Sequence, residues 1–362
     1  MSWPCRLKIA FCKYAGLAAG GTEKYLQSLA LLYKKAGHIV DYYYTDATPI
    51  DGTTWQHPDT CPIRRSLLQS AGINTKFVKA QRRAHVDHYS EWIGTDFFDL
   101  FDESQYDYLV TAGDGRAEFP YYLLKQIPII HTVHGWHAYN APNVRKSVLL
   151  CNWQAQRWIV NGGDENKLEV IPPLIPIPDF ESGTFRQKHK IPEDALVFGL
   201  HQAPGVASLV SLEAFSEIVT DNVYYVILGG DGQHRSLCKN KGIRNVIFLP
   251  IESDARKVHA FLDGIDVYAH CRRDGEVCSA SLIEAMAHGK PIVSHVGDGT
   301  NLGHLEQVEG IGRVTNNVRE YAKEMRRYFD RSYRQELAAK ATQKYSTTYE
   351  HGVVADRIIA LL

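Results

Sequence analysis

The sequence has no run of 18 apolar residues, no C-x2-C pair and no excess of charge of either sign. Each absence removes a class of protein. Without a long apolar run no membrane-spanning helix is expected. The opening MSWPCRLKIAFC lacks a signal-peptide core, which sets the expectation of a cytoplasmic protein, free or peripherally attached to a membrane. Seven cysteines, at 5, 12, 61, 151, 238, 271 and 278, are odd in number and scattered singly. A disulfide framework is therefore not expected, and a reducing compartment fits. Forty Lys plus Arg against 41 Asp plus Glu leave a formal charge of -1. That balance excludes a disordered polyelectrolyte and a generic nucleic-acid binder. A local basic groove stays compatible with it, because net charge and charge distribution are separate facts.

What is present is 362 residues with 44 % apolar composition, enough for about two domains with a core each. A strand at 7–12, a loop holding Gly16, Gly20 and Gly21, and a helix over 22–36 open a βα unit. Further strands read at 39–44, 106–112, 127–133, 147–151 and 168–171, with a Thr-, Asp- and Pro-rich loop at 45–63. The segment 171–178, IPPLIPIP, holds four prolines in eight residues and reads as a linker. A second series follows, with strands at 195–200, 223–228, 246–249, 266–270 and 291–295 and helices near 206–219, 254–262 and 280–288. The tail from 318 is helical in composition and interrupted near 346–348. The rhythm is that of two α/β domains, each a mostly parallel sheet covered by helices, with ligands expected beyond the carboxyl ends of the strands.

Several segments carry polar groups suited to chemistry. Gly20 and Gly21 lie between a strand and a helix, where a ligand can approach backbone N–H groups; a tight turn accounts for them equally well. The run lacks both G-x-G-x-x-G and G-x-x-x-x-G-K-[ST]. Gly229-Gly230-Asp231-Gly232 follows an apolar strand and could approach a nucleotide, or be a plain βα turn. The densest segment is 274–291, DGEVCSASLIEAMAHGKP. Ser279 reads as a helix start, Glu276 as a loop residue before it and Glu284 as a residue more than a turn inside. Backbone N–H groups around Ala280 and Ser281 suit a phosphate, and the two carboxylates suit sugar hydroxyls, a division that fits a nucleotide sugar. His131, His134 and His137 lie at a strand end and in the loop after it; 131 and 134 face opposite ways along a strand, which argues against a metal pair. One histidine there suits an acid, base or electrostatic role. Arg64, Arg65, Lys76, Lys79, Arg82 and Arg83 form a basic stretch that reads as a solvated face, with anionic lipid or an anionic acceptor as alternatives.

Together these residues resemble the retaining glycosyltransferases of the family 4 type, which have the GT-B fold. The resemblance runs from the Gly-Gly loop and Glu23 through Thr-x-His at 132–134, the Val-Ile-Pro hinge, Gly-Asp-Gly at 230–232 and Val-x-Phe-Leu at 246–249. It ends in the E-x7-E pair Glu276 and Glu284, followed by Ala-Met-Ala-x-Gly-x-Pro. It implies two Rossmann-like domains facing a cleft: 1–172 on the acceptor side, 173–342 holding the nucleotide sugar, and 343–362 packing back on the first. It also implies a UDP- or GDP-linked donor, a carbohydrate or glycan acceptor, no nucleic acid and no essential metal. On this resemblance Glu284 binds the ribose, Glu276 the transferred sugar, and His134 steadies the reaction centre. Gly20 and Gly21 approach the phosphates and acceptor, and Gly230, Ala280 and Ser281 the donor.

One departure stands out. Where the family carries G-R-x4-K-G, this sequence reads FGLHQAPG at 198–205, without either basic residue. The leaving diphosphate then needs another source of charge, and His201, Arg272, Arg273 and Arg235 are the candidates. Three readings follow: an active glycosyltransferase, a catalytically weak or inactive nucleotide-sugar binder, and a sugar-phosphate isomerase or epimerase on the same plan.

Overall fold

The computed structural model describes residues 6–18, 20–45, 62–87, 89–202, 205–252 and 254–362. The expected loop at 45–63 lies outside them apart from Thr45, Pro62 and Ile63. The last two open a helix, Pro62–Ser70, because proline is well placed in a first turn. The chain divides into two compact units, Met1–Leu174 with Ala355–Leu362, and Ile175–Val354.

The first unit holds β1 (Lys8–Lys13), β2 (Ile39–Tyr44), β3 (Asn74–Phe77), β4 (Gln81–Arg83), β5 (Glu91–Ile93), β6 (Tyr108–Gly113), β7 (Ile129–Val133), β8 (Val144–Leu149) and β9 (Leu168–Val170). Seven of them form a parallel sheet in the order β3-β2-β1-β6-β7-β8-β9, and β4 pairs antiparallel with β5. Strand β8 begins at Val144, earlier than the 147–151 expected from its apolar residues. Arg145 and Lys146 hide its start in the sequence, and Lys146 pairs with Glu169 of β9 at 2.7 Å. Cys151 caps the helix Asn152–Val160 instead of ending the strand. The carboxyl terminus joins this unit: Tyr33 Oη donates to the Ile358 carbonyl at 3.2 Å and Tyr108 Oη to that of Leu362 at 3.2 Å.

The second unit holds β10 (Leu196–His201), β11 (Val223–Leu228), β12 (Val246–Leu249), β13 (Val267–His270), β14 (Ile292–His295) and β15 (Gly312–Thr315). They form a parallel sheet in the order β12-β11-β10-β13-β14-β15. Alternation along β10 shows how it is covered. Val197 packs with Phe261, Ile283 and Met286 of the helices Ala255–Gly264 and Ala280–Ala287. Phe198 and Leu200 pack with Phe215, Tyr321 and Met325 of the helices Val210–Ser216 and Val318–Arg327. Both faces are dry, so the strands read as unbroken apolar runs. Gly199 lies directly against Ile265, whose Cδ1 would stand 2.6 Å from an added Cβ. The tail is three helices, Val318–Arg327, Arg331–Lys344 and His351–Ile359, with a π turn at Tyr345–Tyr349 where the interruption was expected. Tyr349 packs in the core of the second unit.

Candidate active site

In the second unit, Glu276 stands in the loop between β13 and the helix Ala280–Ala287, and both of its oxygens are taken. His270 Nε2 meets Oε2 at 3.0 Å, and Arg272 Nη1 donates to Oε1 at 3.0 Å. His270 is wholly buried at the end of β13, with Nδ1 on Ser294 Oγ at 2.7 Å. The Glu276 N–H donates to His304 Nδ1 at 3.2 Å, while His304 Nε2 reaches the His295 carbonyl at 3.1 Å. Burial alone would raise the Glu276 carboxyl. The hydrogen bond and charge of His270, with the Arg272 guanidinium, outweigh it and hold the group down at about 2. Glu276 is therefore a fixed anion.

Arg272, expected to face a donor, is committed elsewhere. Its Nε donates to Asp274 Oδ1 at 2.7 Å while Nη1 holds Glu276, because carboxylates two and four residues on both reach one guanidinium fork. Sequence reasoning missed His270, Ser294 and His304; a histidine at the strand end six residues before Glu276 was the only visible signal.

Ser279 precedes the helix Ala280–Ala287 with its peptide clamped by Gln307. Its N–H donates to Gln307 Oε1 at 2.7 Å and its carbonyl accepts from Nε2 at 3.0 Å. The first-turn N–H groups of Ala280 and Ser281 have no carbonyl partner within the helix, and Ala280 is exposed. One turn on, Glu284 Oε2 comes within 4.0 Å of His201 Nδ1, at the end of β10. Tyr268 joins the same group, donating to the His201 carbonyl at 2.9 Å. A pocket of about 670 Å³, lined by residues that include Phe180, Phe185, Leu228, Leu249, Pro250 and Phe261, contains none of these side chains and touches the group only through Phe261, whose ring lies edge-on to His201 at 6.5 Å. His201 and Glu284, from two distant segments, are thus brought together.

Gly230 has a packing reason of its own, since an added Cβ would meet Ile227 Cγ2 at 2.8 Å and Phe248 Cδ1 at 3.0 Å. Gly229 adopts φ +87° with the Gln202 carbonyl against it. Asp231 then caps the next helix, accepting from the N–H groups of Gln233 and His234 at 3.0 and 3.2 Å. Of the stretch that departs from the family pattern, Ala203 and Pro204 lie outside the described residues.

In the first unit, Gly20 caps the helix Gly21–Lys35, whose Glu23 pairs with Lys13 of β1 at 3.3 Å. An added Cβ at Gly20 would strike Glu23, whereas at Gly21 it would meet nothing within 4 Å. The Gly21 backbone is therefore approachable. His134 follows β7, its N–H on the Gly113 carbonyl at 2.7 Å and its ring edge-on to Tyr25 at 5.3 Å. Its Nε2 is buried and has no hydrogen-bond partner among the described residues. Burial, then the charge of Lys13, push this imidazole down to about 3, so it is neutral near pH 7. The three histidines go to three different neighbours: His131 to Thr111 Oγ1 at 2.6 Å, His134 to Tyr25, and His137 to Arg116 at 2.8 Å. Four of the six residues in the basic stretch are engaged inside the unit: Arg64 with the Ala18 carbonyl, Lys76 with Asp41, Arg82 with Glu118 and Arg83 with Glu91.

Among the described residues no helix is long and apolar enough to cross a membrane, and no group of three His, Cys, Asp or Glu side chains is arranged to hold a metal ion.

Two Rossmann-like units of parallel sheet and covering helices are those of the GT-B glycosyltransferase fold. A glycosyltransferase from Rickettsia africae ESF-5 superposes with a TM-score of 0.73 at 15 % identity, over 98 % of this chain and 97 % of that one. HepE of Anabaena, solved in complex with UDP and glucose, gives 0.70 at 15 % identity over 98 % and 99 %. Sucrose-phosphate synthase of Thermosynechococcus elongatus gives 0.69 at 16 % over 98 % of each chain. Residues 185–345 match the family model described as glycosyl transferases group 1, which spans both carboxylates of the site. No curated protein sequence matches the chain.

Proposed function

We propose that the protein is a retaining glycosyltransferase that moves a sugar from a nucleotide diphosphate sugar to a hydroxyl of a carbohydrate or glycan acceptor, without an essential metal. The observation that carries the reading is the meeting of Glu284, His201 and an open helix N-terminus beside the ionised Glu276, all inside the segment that matches group 1 glycosyl transferases. The binding of UDP and glucose by HepE supports the same ligand class. In this reading the N–H groups of Ala280 and Ser281 receive the diphosphate and Glu284 holds ribose hydroxyls. Glu276 orients hydroxyls of the transferred sugar, and its fixed negative charge favours the positive charge that develops at the anomeric carbon. Neutral His134, whose Nε2 has no partner among the described residues, steadies that sugar or its developing positive charge. The bond from the anomeric carbon to the phosphate oxygen breaks as the acceptor oxygen bonds to the same face, and the acceptor proton passes to the departing phosphate oxygen.

The test is a binding and turnover screen with UDP-, GDP- and ADP-linked sugars on the wild-type chain and on Glu284→Ala, with the anomeric configuration of the product read by NMR. Binding of one donor that weakens in Glu284→Ala, with a retained anomer in the product, is expected. Indifference to Glu284, or an inverted product, would overturn the reading. Conversion of the nucleotide sugar with no acceptor added would point to an epimerase instead.

A further inference from the structure

We infer that Arg273 supplies the positive charge that receives the leaving diphosphate, an assignment that rests on the nucleotide-sugar reading above. A nucleoside diphosphate gains negative charge as its bond to the sugar breaks, and a cation already in position lowers that barrier most. In an open parallel sheet the ligand lies beyond the carboxyl ends of the strands, where the strand order reverses. In the second sheet the reversal falls between β10 and β13.

Four candidates for the charge surround this sheet end, and three are accounted for. Arg272 is bound to Asp274 and Glu276. Arg235 lies over the ring of Phe248 at 4.6 Å, on β12, two strands away from β10. His201 faces the Glu284 carboxylate, which offsets any proton it takes. Arg273 differs from all three. Its Nε donates to the Ala207 carbonyl at 3.1 Å and its Nη2 to Gln233 Oε1 at 2.6 Å, both uncharged oxygens, so neither partner cancels its charge. The backbone carries it across the reversal point. The Arg273 N–H donates to the Val206 carbonyl at 3.0 Å and Arg272 bridges to Ala207, joining the loop after β13 to the loop after β10. Gln233 belongs to the first turn of the helix after β11. The side chain is thus steadied from two further strand ends while remaining exposed. A guanidinium has five N–H donors, and among the described residues these two contacts leave the rest of the fork for phosphate oxygens.

The affinity ratio of nucleoside diphosphate to nucleoside isolates this charge. Calorimetric titration of the full chain with UDP and uridine, GDP and guanosine, and ADP and adenosine would be repeated on Arg273→Gln and Arg273→Lys. Gln keeps a donor for the Ala207 carbonyl and loses the charge; Lys keeps the charge and loses the fork. For the preferred base, Arg273→Gln is expected to lower the ratio about tenfold or more, the scale of a lost charge-assisted hydrogen bond. Nucleoside affinity should stay within about twofold, and Arg273→Lys should recover part of the ratio, the partial recovery expected of a point charge without the fork. An unchanged ratio in Arg273→Gln overturns the assignment and leaves the nucleotide-sugar reading standing. Equal loss of nucleoside and diphosphate affinity in both variants overturns it too, by marking Arg273 as structural. Failure of the wild-type chain to bind any of the six compounds overturns the assignment and the nucleotide-sugar reading together.

Discussion

At the carboxyl end of the first sheet, His134 is a neutral ring whose buried Nε2 has no partner among the described residues, and the Gly21 backbone of the same unit is open to approach. At the same end of the second sheet, Glu276 is an anion held by His270 and Arg272, with a second carboxylate, Glu284, one turn into the adjoining helix. Both sheets are parallel and both put their polar residues where the strands stop, so topology alone does not separate them. The separation comes from desolvation. Where no counter-charge is packed alongside, burial favours the neutral form, and where a hydrogen-bonded cation is packed alongside, the ion survives. One architecture thus yields a neutral site and a charged site.

The sharpest break of that contrast is at the carboxylate. Glu276→Gln is expected to lower kcat about a thousandfold, within the range of losing one preorganised electrostatic contact. His134→Ala is expected to lower it about a hundredfold. Steady-state kinetics with the donor from the binding screen check both, and a His134 effect exceeding that of Glu276 would reverse the roles given to the two ends. Next in size, Glu284→Ala should raise the donor KM about tenfold while kcat changes little, the pattern of a contact made equally in ground and transition states.

The pH dependence of stability separates the two ends by the window in which each acts. His134 sits near 3 against its ordinary 6.5. The unfolded chain therefore binds a proton that the folded chain refuses, and the wild type loses stability as pH falls from 6.5 toward 3. His134→Gln escapes this, so its stability relative to wild type rises over that window. Glu276 sits near 2 against its ordinary 4.5. Its contribution is complete above 4.5 and is lost as pH falls toward 2, so the deficit of Glu276→Gln shrinks over that lower window. Urea denaturation at stepped pH reads both trends. The smallest effect concerns the two glycine loops. Gly230→Ala must displace Ile227 and Phe248 and should cost roughly 1–3 kcal/mol. Gly21→Ala, with open space at its Cβ and a better helix former, should leave thermal stability unchanged or slightly raised.

The fold was legible wherever a strand is dry on both faces. Leu196–His201 and Val223–Leu228 stand within a residue of the segments read from their apolar runs. It was illegible where a strand lies at an edge or carries charge. Asn74–Phe77 and Gly312–Thr315 are polar edge strands, and Val144–Leu149 begins with two basic residues in its first turn of pleat. The site divides in the same way. Glu276, Ser279, Ala280 and Glu284 could be positioned from their spacing around one helix start. Gln307, His270 and His304, which clamp that start, come from segments up to 28 residues away and carry no local pattern.

What the sequence by itself determined is local: two series of strands and helices separated by prolines, a glycine loop after the first strand of one series and after the second strand of the other, and two carboxylates on either side of one helix N-terminus. These follow from backbone sterics and from the periods of 2 and 3.6 residues, which act between near neighbours. What only the tertiary structure decided is the state of each charge. Arg272 and Arg273 are adjacent in the chain, yet one is spent on two carboxylates and the other rests on two neutral oxygens. Electrostatic energy depends on distance through space and on the water left around each group, and packing sets both.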